Sequence, residues 1–176
     1  MIALTDDDFA LMGLPRRFGL DPKALDARWK DLQRQTHPDR FAAQGAAAQR
    51  VAMQWSVRVN EAYQRLRDPV KRAAYLCELS GTAIDAERNT AMPTEFLMQQ
   101  MQWREDLDEA QSAEHIEALL DQVDDARRQA VGRLGQLLDE QADPQAASGV
   151  VRALMFIQRF ADDVQDRLDR AQSQRQ

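Results

Sequence analysis

His37 and Asp39, held apart by Pro38, are the residues of this chain whose types and spacing could do chemistry. An imidazole beside a carboxylate is the pairing that moves protons in acid-base and nucleophilic catalysis. Its third member is missing: no serine or cysteine is placed by the sequence as a nucleophile, and no glycine-rich phosphate loop exists. A metal centre fares no better, because 2 histidines, His37 and His115, and 1 cysteine, Cys77, cannot supply a ligand cluster. With Pro38 between the two polar groups, the triplet reads as a rigid turn, and the chain is expected not to be an enzyme. A His-Pro-Asp string should arise by chance in about one chain in a hundred of this length, so the surrounding elements decide what the turn is for.

Those elements are helical. Thr5 before Asp6, Asp7 and Asp8 predicts an N-cap with acidic residues at the positive helix end, and Gly13 before Leu14-Pro15 stops that first short helix. Asp21-Pro22 supplies a cap and a first-turn proline for a second helix that ends ahead of Pro38. Leu25, Trp29 and Leu32 recur along it at helical spacing, while Arg28, Lys30 and Arg34 fall outside that stripe. After a loop containing Gly45, the residues Ala48, Ala52, Trp55, Val59, Ala62 and Leu66 mark one face of a long helix that Asp68-Pro69 terminates. Two antiparallel helices joined by the His-Pro-Asp loop are the expected result.

Breaks at Gly81-Thr82, Asn89-Thr90 and Pro93-Thr94 place a boundary within residues 81–93. Beyond it, Phe96, Trp103, Leu107 and Ala110 share one face of a helix and form a core stripe. Leu97, Met98 and Met101 lie about 100 to 200° away from Phe96, so they either look outward as an apolar patch or are covered by a wide core. Ile116, Leu119, Leu120, Val123, Val131, Leu134 and Leu138 define a second helix, with His115 on the surface at its start. A third begins near Asp143-Pro144 and buries Val150, Leu154, Ile157, Ala161, Val164 and Leu168, with Phe156 pointing elsewhere.

Composition bounds the rest. The 176 residues are 44% apolar and 30% charged, ordinary for a globular protein of one medium or two small domains. No apolar run approaches the roughly 18 residues a spanning helix needs, and Asp6-Asp7-Asp8 is unlike a targeting peptide, so a cytoplasmic location without membrane contact is expected. Cys77, within Tyr75-Leu76-Cys77-Glu78-Leu79, reads as a small buried core residue. The formal charge of -6 hides a division: residues 1–75 hold 13 Lys and Arg against 9 Asp and Glu, net +4, and residues 76–176 hold 10 against 20, net -10. A net +4 without interleaved arginine and aromatic residues speaks against nucleic acid as a partner.

The helix-loop-helix setting of His37-Pro38-Asp39 resembles a J-domain, the module through which co-chaperones act on a DnaK-type ATPase. The likeness extends over nearly the whole chain to the HscB family, the J-proteins of bacterial iron-sulfur cluster assembly. It is carried by Leu14-Pro15, Leu32-Gln33-Arg34, His37-Pro38-Asp39-Arg40-Phe41, Asn60-Glu61-Ala62-Tyr63, Leu66-Arg67-Asp68-Pro69, Arg72-Ala73-Ala74-Tyr75-Leu76 and Glu95-Phe96-Leu97-Met98. Arg104-Glu105-Asp106-Leu107 belongs to the same branch, whereas Gln102 and Trp103 depart from it, and the amino-terminal cysteine pairs of some eukaryotic relatives are lacking.

The resemblance implies an all-α fold: a J-domain hairpin over residues 1–75, a connecting segment over 76–93, and an antiparallel three-helix bundle over 94–176 that binds a scaffold. His37, Pro38 and Asp39, with Arg28, Lys30, Arg34 and Arg40 around them, would dock on an acidic surface of an HscA/DnaK-type chaperone and stimulate its ATPase. Leu97, Met98, Met101 and Phe156 would bind an IscU-type iron-sulfur scaffold and deliver it for cluster transfer. No cofactor or metal is expected in this chain. A J-protein serving general folding is the competing expectation, against which stands the absence of glycine-rich and zinc-binding regions.

Overall fold

The computed structural model of the chain describes residues 3–173. Residues 1 and 2 of the expected hairpin segment and 174–176 of the expected bundle segment lie outside them. The described residues form seven α-helices and no strand. They are α1 (Asp8–Met12), α2 (Pro22–Thr36), α3 (Ala46–Arg67), α4 (Pro69–Leu79), α5 (Thr94–Glu109), α6 (Ala113–Gly135) and α7 (Pro144–Ser173). The chain divides into two compact units, Met1–Leu76 and Cys77–Gln176.

In the first unit, Asp7 and not Thr5 caps α1. Its Oδ1 accepts from the N–H groups of Phe9 and Ala10 at 2.9 and 3.1 Å. The helix can begin only where Phe9, Leu11 and Met12 all reach the core. That leaves Thr5 in the preceding turn, which Asp6 N–H closes on the Ala3 carbonyl at 3.1 Å. Burial tends to raise the Asp7 carboxyl, but the Arg16 guanidinium and the helix-start N–H groups outweigh it and hold it below the ordinary aspartate range. Asp8, the next acid, is wholly buried and bridged by Arg58 at 2.7 Å and Arg65 at 2.8 Å. This ion cluster ties α1 to α3.

Helices α2 and α3 form the antiparallel hairpin predicted by the sequence. Asp21 caps α2 through the Lys23 N–H at 2.9 Å, with Pro22 in its first turn. Leu25 and Leu32 of α2 are buried, as are Ala52, Val59, Ala62 and Leu66 of α3. Trp29 lies at the edge of this core, stacked on Tyr63 at 4.6 Å with its Nε1 donating to Asn60 Oδ1 at 2.9 Å. Gln33 reaches the same oxygen at 2.7 Å, and Tyr63 donates to Asp26 at 2.7 Å. Such polar rungs fix the register that apolar burial alone leaves loose.

Asp68 ends α3 and caps α4 at once, accepting from Val70 and Lys71 N–H at 2.8 and 3.0 Å. Helix α4 runs on through Leu79, so the first four residues of segment 76–93 are helical. Gly81, at φ +81°, closes it: Gly81 N–H meets the Glu78 carbonyl and Thr82 N–H the Cys77 carbonyl, both at 2.9 Å.

The second unit is an up-down-up three-helix bundle. Residues 80–93 are fastened to α7 by Arg152, 4% exposed, which donates to the Ala91 carbonyl at 2.6 Å and the Ile84 carbonyl at 3.0 Å. Ile116, Leu119, Val123 and Leu134 of α6 and Leu154, Ile157, Val164 and Leu168 of α7 are buried. Val131, Leu138 and Ala161 are only half-buried, while Leu137 and Phe160, which the stripes did not name, are in the core. A π turn at Gln136–Glu140, closed by Gln141 N–H on the Gln136 carbonyl at 2.9 Å, ends α6 there.

Helix α5 meets α7 through aromatic rings: Phe96 on Phe156 at 5.7 Å and Trp103 on Phe160 at 5.8 Å. Of the predicted α5 stripe only Trp103 is fully buried, while Phe96, Leu107 and Ala110 are half-covered. Cys77 is buried, its thiol directed to the Pro144 carbonyl at 3.5 Å, and burial with the nearby Glu78 pushes its pKa up to about 11.

Candidate functional sites

The turn between α2 and α3 is built from its own residues. Pro38 starts a 3-10 segment, Pro38–Gln44, and His37 sits at its N-cap in extended conformation. His37 Nδ1 accepts from the Asp39 N–H at 3.3 Å, which leaves Nε2 to carry the proton of the neutral ring. The Asp39 carboxylate lies 3.6 Å from the same Nδ1, and both side chains are largely exposed. This short contact shapes the turn.

The four basic residues singled out by sequence play different parts. Arg40 folds back and donates to the Arg34 carbonyl at 3.0 Å, covering an open carbonyl at the end of α2. Arg28 is half-buried and donates to the Met12 carbonyl at 3.1 Å, so it is committed to the end of α1. Arg34 is exposed and shares Asp31 with Arg28, at 3.2 and 3.5 Å. Lys30 is exposed. The exposed cations beside the turn are thus Lys30, Arg34 and Arg40, the first two one turn apart, with Asp31 muting the charge of Arg34.

Sequence reasoning missed what lies beside the turn. An apolar groove of about 590 Å³ is walled by Leu32, Thr36, Phe41, Val51, Ala52 and Trp55. Its available signal was Phe41 and Val51, two apolar residues off the hairpin stripes.

In the second unit, Met98 and Met101 are 70% and 64% exposed, more than any other large apolar side chain among the described residues. They stand one turn apart on α5. Leu97 beside them is half-buried. Phe156 is half-buried too and belongs to an aromatic row, edge-on to Phe96 at 5.7 Å and stacked on Phe160 at 5.9 Å, with the Arg104 guanidinium over its ring at 5.4 Å. Exposure among the four is graded: an open methionine pair, and two partly covered side chains, of which Phe156 belongs to the aromatic row. No group of acidic, histidine or cysteine side chains among the described residues could hold a metal ion. No helix among them is long and apolar enough to cross a membrane.

Comparison with known proteins covers both units. The family described as the HSCB C-terminal oligomerisation domain matches residues 92–165. The co-chaperone protein HscB homolog of Burkholderia cenocepacia is 52% identical, over 98% of this chain and 100% of that protein. The crystal structure of human co-chaperone protein HscB superposes with a TM-score of 0.85 at 27% identity, covering 93% of this chain and 82% of the human one. Chaperone HscB from Vibrio cholerae gives 0.78 at 33% identity, over 94% and 99%.

Proposed function

The chain belongs to the HscB family of co-chaperones, and from that premise we propose that it is an adaptor with two binding surfaces, one on each unit, for iron-sulfur cluster assembly. One surface, the His37-Pro38-Asp39 turn with Lys30, Arg34 and Arg40, docks on an HscA/DnaK-type chaperone and stimulates its ATP hydrolysis. The second surface, Leu97, Met98, Met101 and Phe156, binds an IscU-type scaffold. Delivery of the scaffold then promotes transfer of its cluster to acceptor proteins.

The observation that carries the reading is the exposure of Met98 and Met101 on a helix whose remaining apolar residues are at least half-covered. An isolated apolar pair held in water is a standing cost that burial against a partner removes, and methionine adapts its shape to the surface it meets. On the first unit, exposed cations suit fast encounter with an acidic surface, and the turn supplies the fixed contact. Arg28 is partly committed to the hairpin through its bond to the Met12 carbonyl, so more of the proposed docking charge falls on Lys30, Arg34 and Arg40.

Isothermal titration of the protein against its own scaffold tests the cargo half. Saturable binding is expected, weakened at least tenfold by Met98→Ala with Met101→Ala, since truncated interface anchors commonly lose about 1 to 2 kcal/mol each. Full-strength binding by that double variant would move the cargo site elsewhere.

A further inference from the structure

Among the described residues the methionines are distributed unevenly with respect to solvent. Met12 is fully buried, Met92 and Met155 are partly covered, and Met53, Met98 and Met101 are open. Two of the open three stand one turn apart on α5, at the centre of the proposed scaffold surface. Leucine at those positions would offer similar apolar area without a thioether, so the sulfur is what distinguishes them chemically.

We infer that Met98 and Met101 are an oxidation site for hydroperoxides, through which peroxide switches off scaffold docking. The inference rests on the scaffold-binding reading and adds its regulation. A thioether lone pair attacks one oxygen of hydrogen peroxide; the O–O bond breaks, an S–O bond forms, and the second oxygen leaves as water with both protons. Sulfur loses two electrons and peroxide gains them. The product is a sulfoxide, a strong hydrogen-bond acceptor on a side chain that had none of comparable strength.

In the free protein this change costs little, because both side chains already face water. In the complex the new oxygen would have to give up its water without a partner, which opposes docking. The folded monomer therefore survives oxidation while its cargo surface becomes polar. Sulfoxide formation is reversible by reductases, so the loss is a pause and not damage. Met12, by contrast, lies where peroxide cannot reach without unfolding.

The test treats the full-length protein with a graded excess of hydrogen peroxide, maps sulfoxides by peptide mass spectrometry, and titrates each sample against the scaffold. Met98 and Met101 should oxidise ahead of Met92 and Met155, with Met12 last. Scaffold affinity should fall about tenfold or more with an unchanged melting temperature, and recover after treatment with methionine sulfoxide reductases. In a Met98→Leu, Met101→Leu variant, peroxide should leave unchanged whatever affinity the leucines give, although its Met53 is still oxidised. Equal affinity of oxidised and untreated wild type would overturn the inference. So would equal peroxide sensitivity in the leucine variant, which would put the responsible group elsewhere. Untreated protein that fails to bind at all would contradict the scaffold reading itself, an outcome visible before any peroxide is added.

Discussion

Arg40 Nη1 donates to the backbone carbonyl of Arg34 at 3.0 Å, so the residue after His37-Pro38-Asp39 is tied back to the last turn of α2. The tie restricts the angle at which the turn leaves the helix. Arg40→Ala should leave the hairpin folded, at a cost of about 1 kcal/mol or less, because the bond is exposed and single. Stimulation of the chaperone's ATPase should fall several-fold as the turn loosens. Circular dichroism and a coupled ATPase assay separate the two effects, and undiminished stimulation would remove Arg40 from the docking machinery.

Charge reversal discriminates among the basic residues. Lys30→Glu with Arg34→Glu should slow association with the chaperone without altering the melt, and added salt should weaken wild-type docking in the same direction. Arg28→Glu should behave differently. It loses the bond to the Met12 carbonyl and sets two acids, Glu and Asp31, side by side. An earlier melt is the expected mark of that variant, and stopped-flow association with parallel thermal scans reads both outcomes.

Much of this was legible in sequence because local signals agreed. Asp21-Pro22, Pro38 and Asp68-Pro69 bracket helices α2 and α3, and their apolar stripes share a period, so the hairpin follows from spacing alone. The first cap was not legible, since Thr5, Asp6, Asp7 and Asp8 are all capping residues and only burial of Phe9 and Met12 selects among them. Asp8 was read as a helix-start acid, whereas its partners Arg58 and Arg65 come from the far side of the hairpin. Arg152 left a fainter trace: one charged residue inside the apolar run Val150-Val151-Arg152-Ala153-Leu154. On α5 the helical wheel separated Met98 and Met101 from Trp103, but it could not show that Phe156 is half-covered, because its cover is the ring of Phe96 on another helix.

Cys77 gives the second unit an alkaline limit. Its thiol pKa is raised in the folded state from 9.0 to about 11. The unfolded chain therefore releases the proton first, and the stability this group contributes is whole below pH 9 and lost as pH rises towards 11. The loss should amount to about 2 to 3 kcal/mol over that interval. Urea melts between pH 8 and 11 should show it, and Cys77→Ala should remove that part of the slope. Iodoacetamide at pH 8 should label Cys77 only after unfolding.

The cargo patch and the core separate by one pair of melts. Met98→Ala and Met101→Ala should each cost about 0.5 kcal/mol or less, as exposed substitutions do. Trp103→Ala or Leu154→Ala, each 1% exposed, should cost about 2 to 5 kcal/mol. Phe156→Ala should fall between, since its ring supports Phe96 and Phe160 as well as the surface. If the methionine variants melted as early as Trp103→Ala, the patch would be core and its assignment to cargo wrong.

The central claim is that one chain couples scaffold binding to chaperone activation through separate surfaces. Its most direct test is the steady-state rate of ATP hydrolysis by the partner chaperone, measured with scaffold and either wild type or His37→Gln. Wild type should raise the rate severalfold beyond scaffold alone. His37→Gln should abolish most of that increase while binding the scaffold with unchanged affinity in the same buffer. A His37→Gln protein that stimulates hydrolysis as well as wild type would contradict the account.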